Sequence, residues 1–163
     1  RSHADRHGAG TDDQGDARQA GEAFFTEMGE KWMSKTIQLG EEYSDRTIEV
    51  VFETVDRNGE QFMIFPHVPQ RFIEIAYLST QEFMKVPFVL NNMTDLSYRI
   101  PQCALFSKIK ESKGEEFANL MTCKSHCLTA LETIQKHMDL DVLIDQKAST
   151  ATDGYCQFAM KKL

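Results

Sequence analysis

The chain lacks most of the features by which a sequence announces its chemistry. It has no run of apolar residues near the ~20 that cross a bilayer, and no secretory apolar segment is recognisable. Neither a membrane partner nor export is therefore expected. It has no basic run either: 18 Lys+Arg stand against 25 Asp+Glu, for a formal net charge of -7. Phosphate backbones attract Lys/Arg patches, so a nucleic-acid partner is excluded at this level. No P-loop, dinucleotide-binding glycine pattern, EF-hand loop or Gly-x-Ser-x-Gly elbow occurs. Nucleotide-dependent and serine-hydrolase chemistry have no support. Cysteine is absent until Cys103, and then Cys123, Cys127 and Cys156 follow.

What is present is 163 residues, 41% of them hydrophobic, enough for one globular domain with a real core. Residues 1–19 hold no large apolar side chain and read as a flexible polar tail, with His3 and His7 incidental to it. Residues 20–163 form the expected single domain. A helix is predicted over Ala20–Gln38, where Phe25, Met28, Trp32 and Leu39 recur at helical spacing beside Phe24, with Gly40 as its stop. Thr47–Val55 is β-branched and partly alternating, so a strand is predicted there. Asn58-Gly59 is a hairpin signal leading to a partner strand over Gln61–Phe65. A third strand is predicted over Arg71–Leu78 and another over Leu96–Ile100; Pro87 leaves residues 81–90 open between helix and strand. Beyond Cys103 come helices over Ala104–Ser112 and Glu115–Met138, a strand over Asp139–Gln146, a turn-rich link over Ala148–Gly154 and a closing strand over Tyr155–Met160. The order points to an α+β fold, an antiparallel sheet with helices packed on one face.

Four cysteines are too few for a disulfide scaffold, and a chain of this size does not need one. Reduced thiols and a cytoplasmic location are expected. The thiols could be metal ligands, a nucleophile or small core residues. At 100° per residue along the helix from Glu115, Phe117, Leu120, Met121, Cys127, Leu128, Leu131, Ile134 and Met138 share one sector. Cys123 and Cys127 are four apart and share a flank, so two thiolates could reach one zinc ion, with Cys103 and Cys156 completing a set of four. His126 projects away from the apolar stripe and reads as a solvated histidine. Lys124 projects near the middle of the apolar sector. It either borders a pocket, binding a carboxylate or acting as a base, or runs its stem along the edge of the core. Tyr98 and Arg99 precede Cys103 on a short strand, and Arg99 could clamp a carboxylate or simply pair at a sheet edge. His67, Asp139, Asp141 and Asp145 read as solvent-facing.

The last third carries Leu96-Ser97-Tyr98-Arg99-Ile100-Pro101-Gln102-Cys103-Ala104-Leu105-Phe106, then a helix with Cys123 and Cys127, then Thr150-Ala151-Thr152-Asp153-Gly154-Tyr155-Cys156-Gln157-Phe158. Over residues 95–163 this arrangement resembles the L-2-amino-thiazoline-4-carboxylic acid hydrolase-like family and small-molecule-binding domains of the 4-vinyl reductase type. It departs from that pattern at Ala104, where a proline is expected, and in the single residue between Gly154 and Cys156. The resemblance implies an α+β domain with a pocket between helices and sheet, and cysteines at Cys103, Cys123, Cys127 and Cys156. Two readings follow. In one, a hydrolase opens a carboxylated heterocycle or amide, with Cys127 or Cys123 as nucleophile or a zinc-bound water, and with Lys124, Arg99 and Tyr98 holding the substrate. In the other, a non-catalytic binding or sensory domain uses the same pocket around a structural cysteine or zinc site. The expected partners are a small-molecule ligand and a second copy of the chain.

Overall fold

The computed structural model describes residues 10–43, 45–58, 64–80 and 86–163. Three helices come first: α1 (Gly10–Glu42), α2 (Arg46–Asn58) and α3 (Ile64–Thr80). Strands β1 (Phe88–Asn91) and β2 (Asp95–Ile100) follow, then helices α4 (Ala104–Lys113), α5 (Glu115–Asn119) and α6 (Lys124–His137). The chain closes with β3 (Val142–Ala148), the short helix α7 (Thr150–Asp153) and β4 (Cys156–Lys162). The four strands form one antiparallel sheet in the order β1-β2-β4-β3, so the fold is α+β as the sequence implies.

One face of the sheet makes the core. Leu96, Tyr98 and Ile100 of β2 stand opposite Met160, Phe158 and Cys156 of β4, and Ile144 stands opposite Met160 from the other side. Period-2 alternation puts all of these on one face. Ala130, Leu131 and Ile134 of α6, Met33 and Ile37 of α1, and Phe72, Ile73, Ala76 and Tyr77 of α3 complete the buried cluster. No described helix is long and apolar enough to cross a membrane.

The first half departs from the strand expectations. Thr47–Val55 is helical, and so is Arg71–Leu78; of the expected hairpin, Gly59 and residues 61–63 lie outside the described residues, while Ile64 and Phe65, expected to end the partner strand Gln61–Phe65, fall at the start of α3. The cause is visible in the helices themselves. Ile48 and Val55 recur at helical spacing and are buried along α2, and Asp45 Oδ1 accepts hydrogen bonds from the N–H groups of Thr47 (3.1 Å) and Ile48 (3.4 Å), capping the first turn. In α3, Phe72, Ile73, Ala76 and Tyr77 pack on the core with the 3.6-residue period. Both segments are rich in β-branched and aromatic residues, whose strand preference tertiary burial overrides. Helix α1 is also longer than predicted: it starts at Gly10, takes in residues 10–19 and ends at Glu42 rather than Gln38, with the side chains of 13–20 exposed. His3 and His7 lie outside the described residues, as do residues 81–85 of the segment left open around Pro87.

The single helix predicted over Glu115–Met138 is two helices. The chain leaves α5 through the tightened bonds Leu120 N–H to Phe117 O (3.1 Å) and Met121 N–H to Ala118 O (3.2 Å), and restarts at Lys124. An angular projection holds only along one straight helix, so side-chain directions measured from Phe117 do not carry past Leu120. The turn-rich link predicted over Ala148–Gly154 contains α7, closed by Gly154 in the left-handed region at φ 79°.

Candidate functional site

The sheet ends in a cavity. Ile100 and Cys156 are paired across β2 and β4, and Cys103 lies three residues past Ile100, at the N-terminal boundary of α4. Strand pairing therefore brings two thiols together at one end of the sheet. The break between α5 and α6 turns Ala118, Asn119, Met121 and Cys123 toward the same space, and the first turn of α6 adds Cys127. Helices α1 and α3 close it with Met28, Trp32 and Tyr77, and α7 adds Thr150 and Ala151. The resulting cavity is ≈ 350 Å³, and all four cysteines line it. The gathering of Cys103, Cys123, Cys127 and Cys156, drawn from three separate parts of the chain, is the central feature of the site.

All four are free thiols, and each is partly shielded from solvent. Burial pushes the Cys127 thiol far above its ordinary range, with the neighbouring Cys103, Cys156 and Cys123 adding to the rise and the Tyr77 hydroxyl opposing it. Burial likewise pushes Cys123 up to about 11, again with Cys103 and Cys156 adding to it. Cys103 is raised by burial, against the pull of the Phe106 and Leu105 N–H groups. Cys156 Sγ lies 3.2 Å from Thr150 Oγ1 and 4.0 Å from the Gln146 amide nitrogen. Cys103, Cys123 and Cys127 are thus protonated at neutral pH, set in an apolar wall.

The first turn of α6 corrects two sequence expectations. His126 is half-buried, not solvated. Its ring stacks on Trp32 at 4.7 Å with an interplanar angle of 22°. The reason is that α6 is covered on two sides, by the sheet and by α1, so the direction opposite the sheet still faces protein. Gly29 of α1 passes the His126 backbone so closely that only a glycine fits there. Burial lowers the pKa of His126. Its Nδ1 and the Trp32 Nε1 are both buried with no hydrogen-bond partner among the described residues. Lys124, projected into the apolar sector, is instead exposed and sits on the cavity lining. Among the described residues its ammonium makes no hydrogen bond or ion pair.

The other proposed ligand-holding residues separate from the cavity. Tyr98 is buried beneath it, its hydroxyl 3.2 Å from that of Tyr77. Arg99 alternates to the opposite face of the sheet, where its Nε donates to Gln157 Oε1 at 2.8 Å and its guanidinium lies 4.8 Å from the centre of the Tyr155 ring. His67, Asp139, Asp141 and Asp145 are exposed away from the cavity, and Asp145 pairs with Lys147 at 2.7 Å. Reading by sequence missed Trp32, Met28 and Tyr77 as site residues. Trp32 and Met28 carry the spacing of ordinary core positions, and Tyr77 lay within a segment read as a strand.

A closed zinc site wants four ligands converging on one point, with sulfurs about 2.3 Å from it. Among the described residues, no group of three or more His, Cys, Asp or Glu side chains is gathered tightly enough to hold a metal ion. The thiols share a wall without converging. Comparisons with protein-family models, with curated proteins and with solved structures find no match to this chain.

Proposed function

We propose that this chain is a small-molecule-binding domain whose ligand occupies the cavity at the end of the sheet, with the four thiols serving as neutral, polarizable wall. The observation that carries this reading is the cavity itself: ≈ 350 Å³, lined mostly by apolar side chains with a few polar groups. That is the size and character of a small-ligand site, and it falls where helices and the end of the sheet leave a concave space. Thiols pushed upward by burial suit a wall better than a nucleophile, since attack requires the thiolate.

Trp32 is the sole tryptophan in the sequence and lies in the wall, so its emission reports directly on occupancy. Titration with decanol, an apolar probe, should give a saturable change in Trp32 emission at one equivalent per chain. A change that grows linearly with probe, or no change, would contradict a built site.

A second reading, hydrolysis of a carboxylated heterocycle or amide through Cys123 or Cys127, draws support from one observation. His126, the base partner that a cysteine nucleophile needs, lines the same cavity with an Nδ1 unpartnered among the described residues. It predicts that iodoacetamide alkylates one native thiol at pH 7 faster than it alkylates unfolded protein. Alkylation of every thiol more slowly in the native state favours the binding domain.

A further inference from the structure

The chain carries 25 acidic residues and a formal net charge of -7, yet among the described residues no Asp or Glu lines the cavity. The lining instead carries one lysine, Lys124, exposed at the rim with no partner among the described residues. Its position is the first residue of α6, a helix of 14 residues with no acidic side chain in its first turn. The positive end of that helix therefore adds to the lysine charge instead of being neutralised locally. Helix α4 also meets the cavity with its first residues, and its first turn too is free of acidic side chains. Deeper in, Ile100, Phe158 and Cys127 offer nothing to a charge. A rim that is cationic and an interior that is mostly apolar and free of acidic groups suit a ligand with the same division.

Resting on the binding reading above, we infer that the ligand is amphipathic: an apolar body that fills the thiol-lined interior and a single anionic head group that pairs with Lys124 at the rim. A cationic head would meet both the lysine and the helix end unfavourably. A neutral head would gain only hydrogen bonds there, without the attraction of opposite charge.

The test uses three probes with the same ten-carbon tail, the two charged ones below the concentration at which they form micelles and the alcohol below its solubility limit: decanoate, decanol and decylammonium. Trp32 emission reads binding. Decanoate should bind roughly three- to tenfold more tightly than decanol, the strength of an exposed ion pair assisted by a helix end, and decylammonium more weakly than either. The preference should shrink as salt is raised. Lys124→Met should remove most of decanoate's preference over decanol, leaving only the smaller part that the helix end supplies, and Lys124→Arg should retain most of the preference. Lys124 is exposed, so neither change threatens the core. Decanol and decanoate binding alike, or a preference undiminished in Lys124→Met, would overturn this inference and leave the binding domain standing. Failure of all three probes to bind would overturn both.

Discussion

A methyl group placed on Gly29 would stand 2.2 Å from the His126 carbonyl oxygen, well inside contact distance. The obstacle is backbone, which cannot swing aside as a side-chain tip can. Gly29→Ala should therefore cost about 1–3 kcal/mol, the usual range for overpacking, even though alanine favours a helix over glycine. Urea unfolding measures it; a variant as stable as the parent would mean that α1 and α6 do not cross here. The same contact sets His126 against Trp32, and burial there lowers the histidine pKa below its ordinary 6.5. A lowered folded-state value means that the unfolded chain takes up the proton first as pH falls. The stability from neutral His126 is complete above about pH 6.5 and is lost as pH drops toward the folded-state value. The urea midpoint should fall between about pH 7.5 and about pH 5.5, and His126→Phe, which keeps the stacked ring, should flatten that dependence. An equal fall in the variant would assign it to other groups.

At the scale of elements, the link from α1 into α2 is held by Asp45. Its carboxylate caps α2 and also receives Arg71 from α3, whose Nη2 lies 2.9 Å from Oδ2. The Arg71 guanidinium, ahead of the backbone N–H groups, holds the Asp45 carboxyl below the usual carboxylate range. Asp45→Ala removes the cap and leaves Arg71 without this partner, and should cost about 2 kcal/mol. Asp45→Asn, which can still cap, should cost less; equal losses would assign the whole effect to the ion pair. Element identity was legible wherever local chemistry and burial agreed. Helix α4 closes at Gly114, and β2 and β4 overlap the strands that alternation and flanking turns place there, while β3 begins at Val142 rather than Asp139. It was illegible in α2 and α3. There Ile, Val and Phe satisfy a strand pattern as easily as a helix pattern, and only the neighbours they pack against decide. The break before Lys124 was equally hidden. Nothing between Leu120 and Cys123 is a glycine or proline, yet the chain turns there and sets Met121 and Cys123 on the cavity wall.

At the scale of the whole molecule, the site is a product of topology. Cys103, Cys123, Cys127 and Cys156 looked like scattered late cysteines, yet the antiparallel pairing of β2 with β4 and the turn into α6 bring them to one cavity. The sequence could supply their identity and suggest that they gather, but not the wall contributed by Trp32, Met28 and Tyr77 from the first half of the chain. This gathering allows one decisive measurement. Because every cysteine in the chain lines the cavity, intact-mass counting of maleimide labels over time reads the site and nothing else. A ligand-binding cavity predicts that saturating decanol slows labelling of all four thiols together in the native protein and has no effect in urea. Labelling rates that decanol leaves unchanged, or that change at one thiol alone, would contradict it.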